Sequence, residues 1–274
     1  MIRPHALALL AAAVLAAPPA AALLIRPDRD DAEYLELATR YTSSVLLGAP
    51  DGPPGSVAWG GEGVLIAPRW VLTAAHMASA LLELKPLPRL RFAGRDYEIQ
   101  ALFPHADWKK GGHSDVALIL LKEPVRGIEP TPLYRGADEG GKTVVIVGHG
   151  YTGKIGEKPL PKERWDRRQR ASINTVDRVT PRILGLRIKA PDEASDLQGA
   201  AAPGDSGGPA YIENADGLFV AGIGYATDDA NADGIIGNAG DWELYTRVSA
   251  FVTWIEGVIL EEAKREMDKL LDDR

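Results

Sequence analysis

From about residue 40 onward the chain is divided into short apolar runs by clusters of Gly, Pro and Asp, and this spacing limits its fold more than any other feature. The runs are Val45–Leu47, Gly63–Ala67, Leu90–Phe92, Tyr97–Phe103, Val116–Leu121, Thr143–Val147, Ile183–Ile188, Leu218–Ile223 and Leu244–Val248. Apolar runs of strand length bounded by turn residues, with no helical period alternating between them, predict a sandwich or barrel rather than a parallel sheet. The 29 Gly and 20 Pro agree, because that much punctuation breaks a helical bundle. A length of 274 residues gives ample core for one large or two small all-β units. The Pro/Gly-rich connection between Leu121 and Thr143 is the expected boundary between two such units.

Three segments depart from this pattern. Asp28 to Ala38 reads as a short acidic helix. From Ser249 the period changes: Phe251, Ile255, Val258, Ile259, Ala263, Met267 and Leu270 share one face, predicting an amphipathic helix over about 249–271 with Ser249 as N-cap. Its apolar face is expected to dock on the domain; the alternative is that it reaches past the core to a partner. At the start, Arg3, the apolar run Ala6–Ala17, Pro18-Pro19 and Ala20-Ala21-Ala22 have the form of a signal peptide, residues 1–22, cleaved after Ala22. The run is short for a membrane span, although an uncleaved anchor is the rival reading. A secreted or periplasmic protein is therefore expected, mature over residues 23–274, with no membrane contact after cleavage.

The chain has no Cys, which excludes a thiol nucleophile, a zinc-thiolate site and a disulfide framework. Its net charge of −7, with no Lys/Arg cluster beyond a local patch, speaks against nucleic-acid binding.

The chemistry is concentrated in three blocks. Gly204-Asp205-Ser206-Gly207-Gly208-Pro209 sets a Ser among glycines, which allow the unusual backbone angles that expose a hydroxyl beside free N–H groups. Leu72-Thr73-Ala74-Ala75-His76 supplies a base after an apolar run, and Ser114-Asp115-Val116-Ala117-Leu118-Ile119 puts a carboxylate at the head of another. An imidazole takes a Ser proton only when a carboxylate holds it in the right tautomer and orientation. His105 and His113 flank the Asp115 block and His149 lies in a loop after an apolar strand; all three read as ordinary surface or hydrogen-bonded histidines, and Asp107 has no strand after it. The short form Gly-x-Ser-x-Gly also occurs in esterases, but there the Ser precedes its acid and its His.

With Trp70 to His76, Asp115 to Leu118 and Gly204 to Pro209 in the order His, Asp, Ser, 39 and 91 residues apart, the sequence resembles the chymotrypsin/trypsin-like serine proteases. Gly60 to Ile66 and Tyr245 to Val248 add to the likeness, which covers roughly Ile25 to Gly257. The resemblance implies two antiparallel six-stranded β-barrels, about 40–125 and 140–248, with the site in the cleft between them and a terminal α-helix. It implies a serine endopeptidase acting through an acyl-enzyme: Ser206 as nucleophile, His76 as base and then acid, Asp115 orienting His76, and Gly204 and Ser206 N–H as the oxyanion hole. No cofactor is implied for catalysis, and the expected partner is a polypeptide substrate of a monomeric enzyme. The alternative is a catalytically silent binding module of the same fold.

Further site residues come from the same likeness. Ile223-Gly224-Tyr225 is expected to pair with substrate backbone, so Gly224 and Tyr225 are substrate-binding. Ala200 would floor the primary pocket, and its uncharged neighbours favour small or medium apolar side chains. Glu243, before Leu244-Tyr245, could restore a basic preference or block the pocket. The family's freed Ile-Val-Gly-Gly terminus, whose ammonium pairs with the Asp before the nucleophile, is missing. Asp205 keeps its structural place there and, if buried, needs a partner; an amine released at Leu23 by signal cleavage is one expectation. Finally, Asp229, Asn231 and Asp233, with Gly234 sixth and Asp241 one residue beyond the usual twelfth position, resemble a calcium loop. A turn built from Asp, Asn and Gly is the preferred reading, with a structural calcium as the alternative.

Overall fold

The computed structural model describes residues 23–47, 61–109, 112–157 and 165–272. The expected signal peptide lies outside the described residues. In chain order the elements are β1 (Leu23–Ile25), α1 (Asp31–Ala38), β2 (Ser44–Leu47), β3 (Gly61–Ala67), β4 (Trp70–Thr73), α2 (Ala75–Leu82), β5 (Arg89–Phe92), β6 (Arg95–Pro104), β7 (Ala117–Leu121) and β8 (Thr143–Gly148). They continue as β9 (Thr152–Lys154), β10 (Arg170–Thr175), β11 (Arg178–Val179), β12 (Ile183–Arg187), β13 (Gly199–Ala200), β14 (Pro209–Asn214), β15 (Gly217–Asp228), β16 (Trp242–Arg247) and α3 (Val252–Asp272).

The first sheet runs β2-β3-β4-β7-β6-β5, antiparallel throughout, and its outer strands β2 and β5 come back into contact. β7 is buried at every position, as a central strand covered on both faces should be. The second sheet runs β10-β8-β14-β15-β16-β12-β11. The fold is thus mostly β with two barrel-like sheets and a terminal helix. The expectation of six strands in each is met by the first sheet; the second has seven, because the two-residue β11 adds to the edge of β12. A third, small sheet orders β13-β1-β9, with β1 parallel to β9 and antiparallel to β13. The main core packs the first sheet together with Tyr211, Val220 and Ile223 of the second and with Phe251 and Ile255, so the two sheets share buried surface.

The helices refine the sequence reading. α1 begins at Asp31 rather than Asp28, set by an Asp30/Glu33 capping box. Ser249 is not the N-cap of the last helix: it lies inside a 3-10 turn, Val248–Ala250, and its hydroxyl donates to buried Glu139 at 2.7 Å. α3 docks through Phe251 and Ile255, both buried, and through half-buried Val258 and Ile259. Its far half does not dock as the periodicity suggests, since Met267 and Leu270 are 58% and 62% exposed.

Candidate active site

His76 lies in the first turn of α2, just past the end of β4, an inner strand of the first sheet. The N-cap position, Ala74, has no side chain to satisfy the helix's free N–H groups. Asp115, at the head of β7, does so instead: its Oδ1 accepts from the His76 N–H at 2.8 Å, and its Oδ2 lies 2.7 Å from His76 Nδ1. One carboxylate thereby fixes both the backbone and the ring of the same residue, and the positive end of the helix favours its charge. Asp115 is itself 5% exposed, and its carbonyl accepts from Thr246 Oγ1 at 2.9 Å. With Nδ1 committed to the carboxylate, the other ring nitrogen is the one left to move a proton.

Ser206 sits in the turn between β13 and β14. Gly207 has φ +86°, and a Cβ there would run into the Glu62 carbonyl and Thr73 Oγ1, so only Gly lets this turn close on the strand that leads to His76. The Ser206 carbonyl accepts from the Glu62 N–H at 2.7 Å. Gly207 N–H donates to the Gly224 carbonyl at 2.7 Å, and Gly224 N–H to the Gly208 carbonyl at 2.9 Å. Among the described residues neither Gly204 N–H nor Ser206 N–H meets an acceptor, and no hydrogen bond engages the Ser206 hydroxyl. The structure therefore joins His76 to Asp115 directly and brings Ser206 alongside through Gly207.

Behind the turn lies a buried charge cluster. Asp205, 4% exposed, accepts from Gly150 N–H at 2.7 Å and from Ala202 N–H at 2.8 Å. It fills a slot that only glycines leave open, because a Cβ on Gly148 or Gly150 would strike its carboxylate. Burial and the nearby Glu62 push its pKa up to about 7 against the pull of those N–H donors. Between the two glycines, His149 donates its N–H to Glu62 Oε1 at 2.6 Å and sets Nδ1 2.9 Å from Oε2. Glu62, within β3, is fully buried. His149, which the sequence reads as ordinary, and Glu62, which it does not single out, belong to the site. The Gly-His-Gly spacing is the one signal that could have drawn attention to them.

Beside Ser206 opens a cavity of about 200 Å³ lined by Ala201, Ala202, Pro203, Tyr225, Ala226, Thr227, Ile236 and Glu243, among others. Ala200, expected at its floor, is instead fully buried in β13 with Leu24, Ile188 and Ala202. Glu243 is the carboxylate of the pocket wall, 1% exposed, with Thr227 Oγ1 at 3.3 Å and a backbone hydrogen bond with Ala201. Desolvation pushes its pKa up to about 8. Gly224 also lines the cavity, with its N–H and its carbonyl both bonded to the Ser206 turn. Tyr225 is the residue skipped where the β15–β16 register shifts, which leaves it outside the ladder.

The loop 229–241 rims the same cavity through Ile236. Asp229 accepts from Asp233 and Gly234 N–H, Asn231 from Asp233 N–H, Asp233 from Ile235 N–H, and Asp241 from Ala230, Gly237 and Asn238 N–H. These are Asx turns closing on the loop's own backbone. No group of three His, Asp or Glu placed to hold a metal occurs among the described residues. Nor is any described helix long and apolar enough to cross a membrane.

Comparison with known proteins follows the same lines. A family model described as Trypsin matches residues 54–255. Vitamin K-dependent protein C of Rattus norvegicus is 25% identical over 261 residues, covering 84% of this chain and 54% of its own length. The Mus musculus protein of that name is 23% identical over 271 residues, covering 87% and 56%. The chain thus spans about half the length of these relatives. Among solved structures, neuropsin, a serine protease expressed in the limbic system of mouse brain, superposes with a TM-score of 0.59 at 18% identity, over 81% of this chain and 96% of that one.

Proposed function

This chain belongs to the trypsin family, and on that footing we propose that it is a secreted serine endopeptidase. Ser206 attacks the scissile carbonyl as His76 takes its proton; the same imidazole then protonates the leaving amine, and water repeats the sequence on the acyl-enzyme. Asp115 holds the ring in its working tautomer and stabilises the imidazolium. The Gly204 and Ser206 N–H groups receive the charge that develops on the carbonyl oxygen, a contribution of about 10²–10³ in turnover per donor. The observation that carries this reading is the two-point hold of Asp115 on His76, next to a glycine-built turn whose Gly204 and Ser206 N–H groups have no internal acceptor.

The cavity is the primary specificity pocket. Its walls combine Ala201, Ala202, Pro203, Ala226 and Ile236 with the polar Asp205, Ser206, Tyr225 and Thr227 and with Glu243, which is mostly protonated at neutral pH given a pKa of about 8, so the pocket takes uncharged side chains of medium size there. The test of the whole reading is mass spectrometry of the protein treated with a fluorophosphonate, beside Ser206→Ala. Labelling confined to Ser206 and lost in the variant is the expected outcome. An intact, folded chain that stays unlabelled would move the protein to a binding module of the same fold.

A further inference from the structure

A Glu with no exposed surface is stable only where its polar groups are all engaged, and Glu62 engages every one of its own at the nucleophile. Its N–H holds the Ser206 carbonyl at 2.7 Å, and its carbonyl takes the Thr73 hydroxyl at 2.6 Å, three residues before His76. Its carboxylate clamps His149 through the backbone and the ring. His149 is flanked by the two glycines that form the Asp205 slot, and Asp205 immediately precedes Ser206. Asp205 itself is bonded only by backbone N–H groups; among the described residues the cationic group acting on it is the His149 ring.

We propose that Glu62 and His149 form a positioning pair for the nucleophile: the carboxylate orients an imidazolium whose charge faces Asp205 and keeps loop 148–150 closed on the Ser206 turn. This inference rests on Ser206 being the nucleophile. The chain then carries its own cation for Asp205 and has no need of a free amine at Leu23. Burial alone would depress His149, but Glu62, followed by Asp205 and Asp166, outweighs it and leaves the imidazole raised above its ordinary value. Among the described residues these three carboxylates are the charged groups facing His149, Asp166 being paired with Arg170. Glu243 faces Asp205 from the pocket side, as does the Tyr245 hydroxyl, while the Tyr211 hydroxyl faces Glu62. When the imidazolium loses its proton, Glu62 and Asp205 are left facing each other in a buried site, and the turn is released.

The experiment measures fluorophosphonate labelling of Ser206 on the full chain from pH 6 to 10, separating the saturating rate from the probe's apparent affinity. In the wild type the rate falls on the alkaline side while circular dichroism shows the fold retained. Glu62→Gln, close in shape but uncharged, moves that fall to lower pH, because the largest influence raising His149 is gone. His149→Gln lowers the rate at least tenfold at pH 7, with affinity within about threefold, and abolishes the alkaline fall. A fall that persists unchanged in His149→Gln would assign Asp205's cation to another group, such as an amine at Leu23, and would overturn the pair. Variants that melt earlier yet label at the wild-type rate would also overturn it, by showing a structural role only. Should a variant not fold, the wild-type profile decides: a rate flat to pH 10 overturns the proposal. A wild-type chain that never labels overturns both the pair and the nucleophile assignment.

Discussion

Glu243 shows how one buried group can set what a pocket accepts. Its carboxyl is neutral below about pH 8 and charged above it, because desolvation opposes the anion more than Thr227 and Ala201 favour it. A lysine side chain stays cationic across that range. The ratio of kcat/KM for a Lys-bearing peptide over a medium apolar one should therefore rise at least tenfold from pH 6.5 to 9. Whatever pH dependence the chemical step has is common to both substrates and cancels in the ratio. In Glu243→Gln the ratio should stay flat; a flat ratio in the wild type would show that Glu243 does not meet the substrate. At this scale the sequence was legible where a residue type has few alternative uses: His76, Asp115 and Ser206 come in blocks whose neighbours prescribe their setting. Glu62 and His149 were not legible, since their meaning lies in a pairing across 87 residues that no local pattern encodes.

Among the elements, the longer apolar runs could be read as strands, whereas the short β1, the Pro-led β14 and the polar β10 could not. Each of the nine apolar runs coincides with a strand of the structure, six lying wholly inside one and three overrunning it by a single residue, Val116, Ile188 or Val248. β10 escaped because the side chains it buries are Arg170, Ser172 and Asn174, satisfied by Asp31, Asp166 and the Gly199 carbonyl rather than by packing. α3 erred in the other direction, since its heptad-like face continues past the surface it covers. Beyond Lys264 the helix is tied down chiefly by Glu266, paired with Arg69 at 2.9 Å and partly exposed. Partly exposed pairs of this kind are worth about 1 kcal/mol or less. A chain ending at Lys264 should lose no more than that in urea unfolding and should label at the wild-type rate. Ile255→Ala, which empties a fully buried site under the first turns, should cost about 2–5 kcal/mol. If the truncation proved as costly as the cavity, the distal turns would be part of the core after all.

Across the whole molecule, the buried carboxyls and the surface ion pairs pull stability in opposite directions with pH. Asp205 at about 7 and Glu243 at about 8 both hold protons in the folded state that the unfolded chain releases near its ordinary carboxylate values. The folded state thus binds more protons between roughly pH 4 and 8, and stability must fall as pH rises through that window. His149 acts with the same sign: its raised value makes a contribution that is full below its ordinary range and lost as pH climbs through the folded one. Asp28, held at about 2 by Arg26, and Glu98, Glu256 and Glu266, each lowered by a basic partner, contribute above their ordinary values and lose that contribution as pH falls through the depressed ones. These partners lie near the surface, so their share is screened by salt, whereas the buried cluster's share is not. Urea unfolding at pH 3, 5, 7 and 8.5 should place the maximum near pH 5. The acid limb should flatten with salt, the alkaline limb should hardly respond, and Glu243→Gln should remove part of the alkaline limb alone. A curve level from pH 5 to 8.5 would mean that the buried carboxyls are already ionised at neutral pH, and the pocket's switch from neutral to anionic would fall with it.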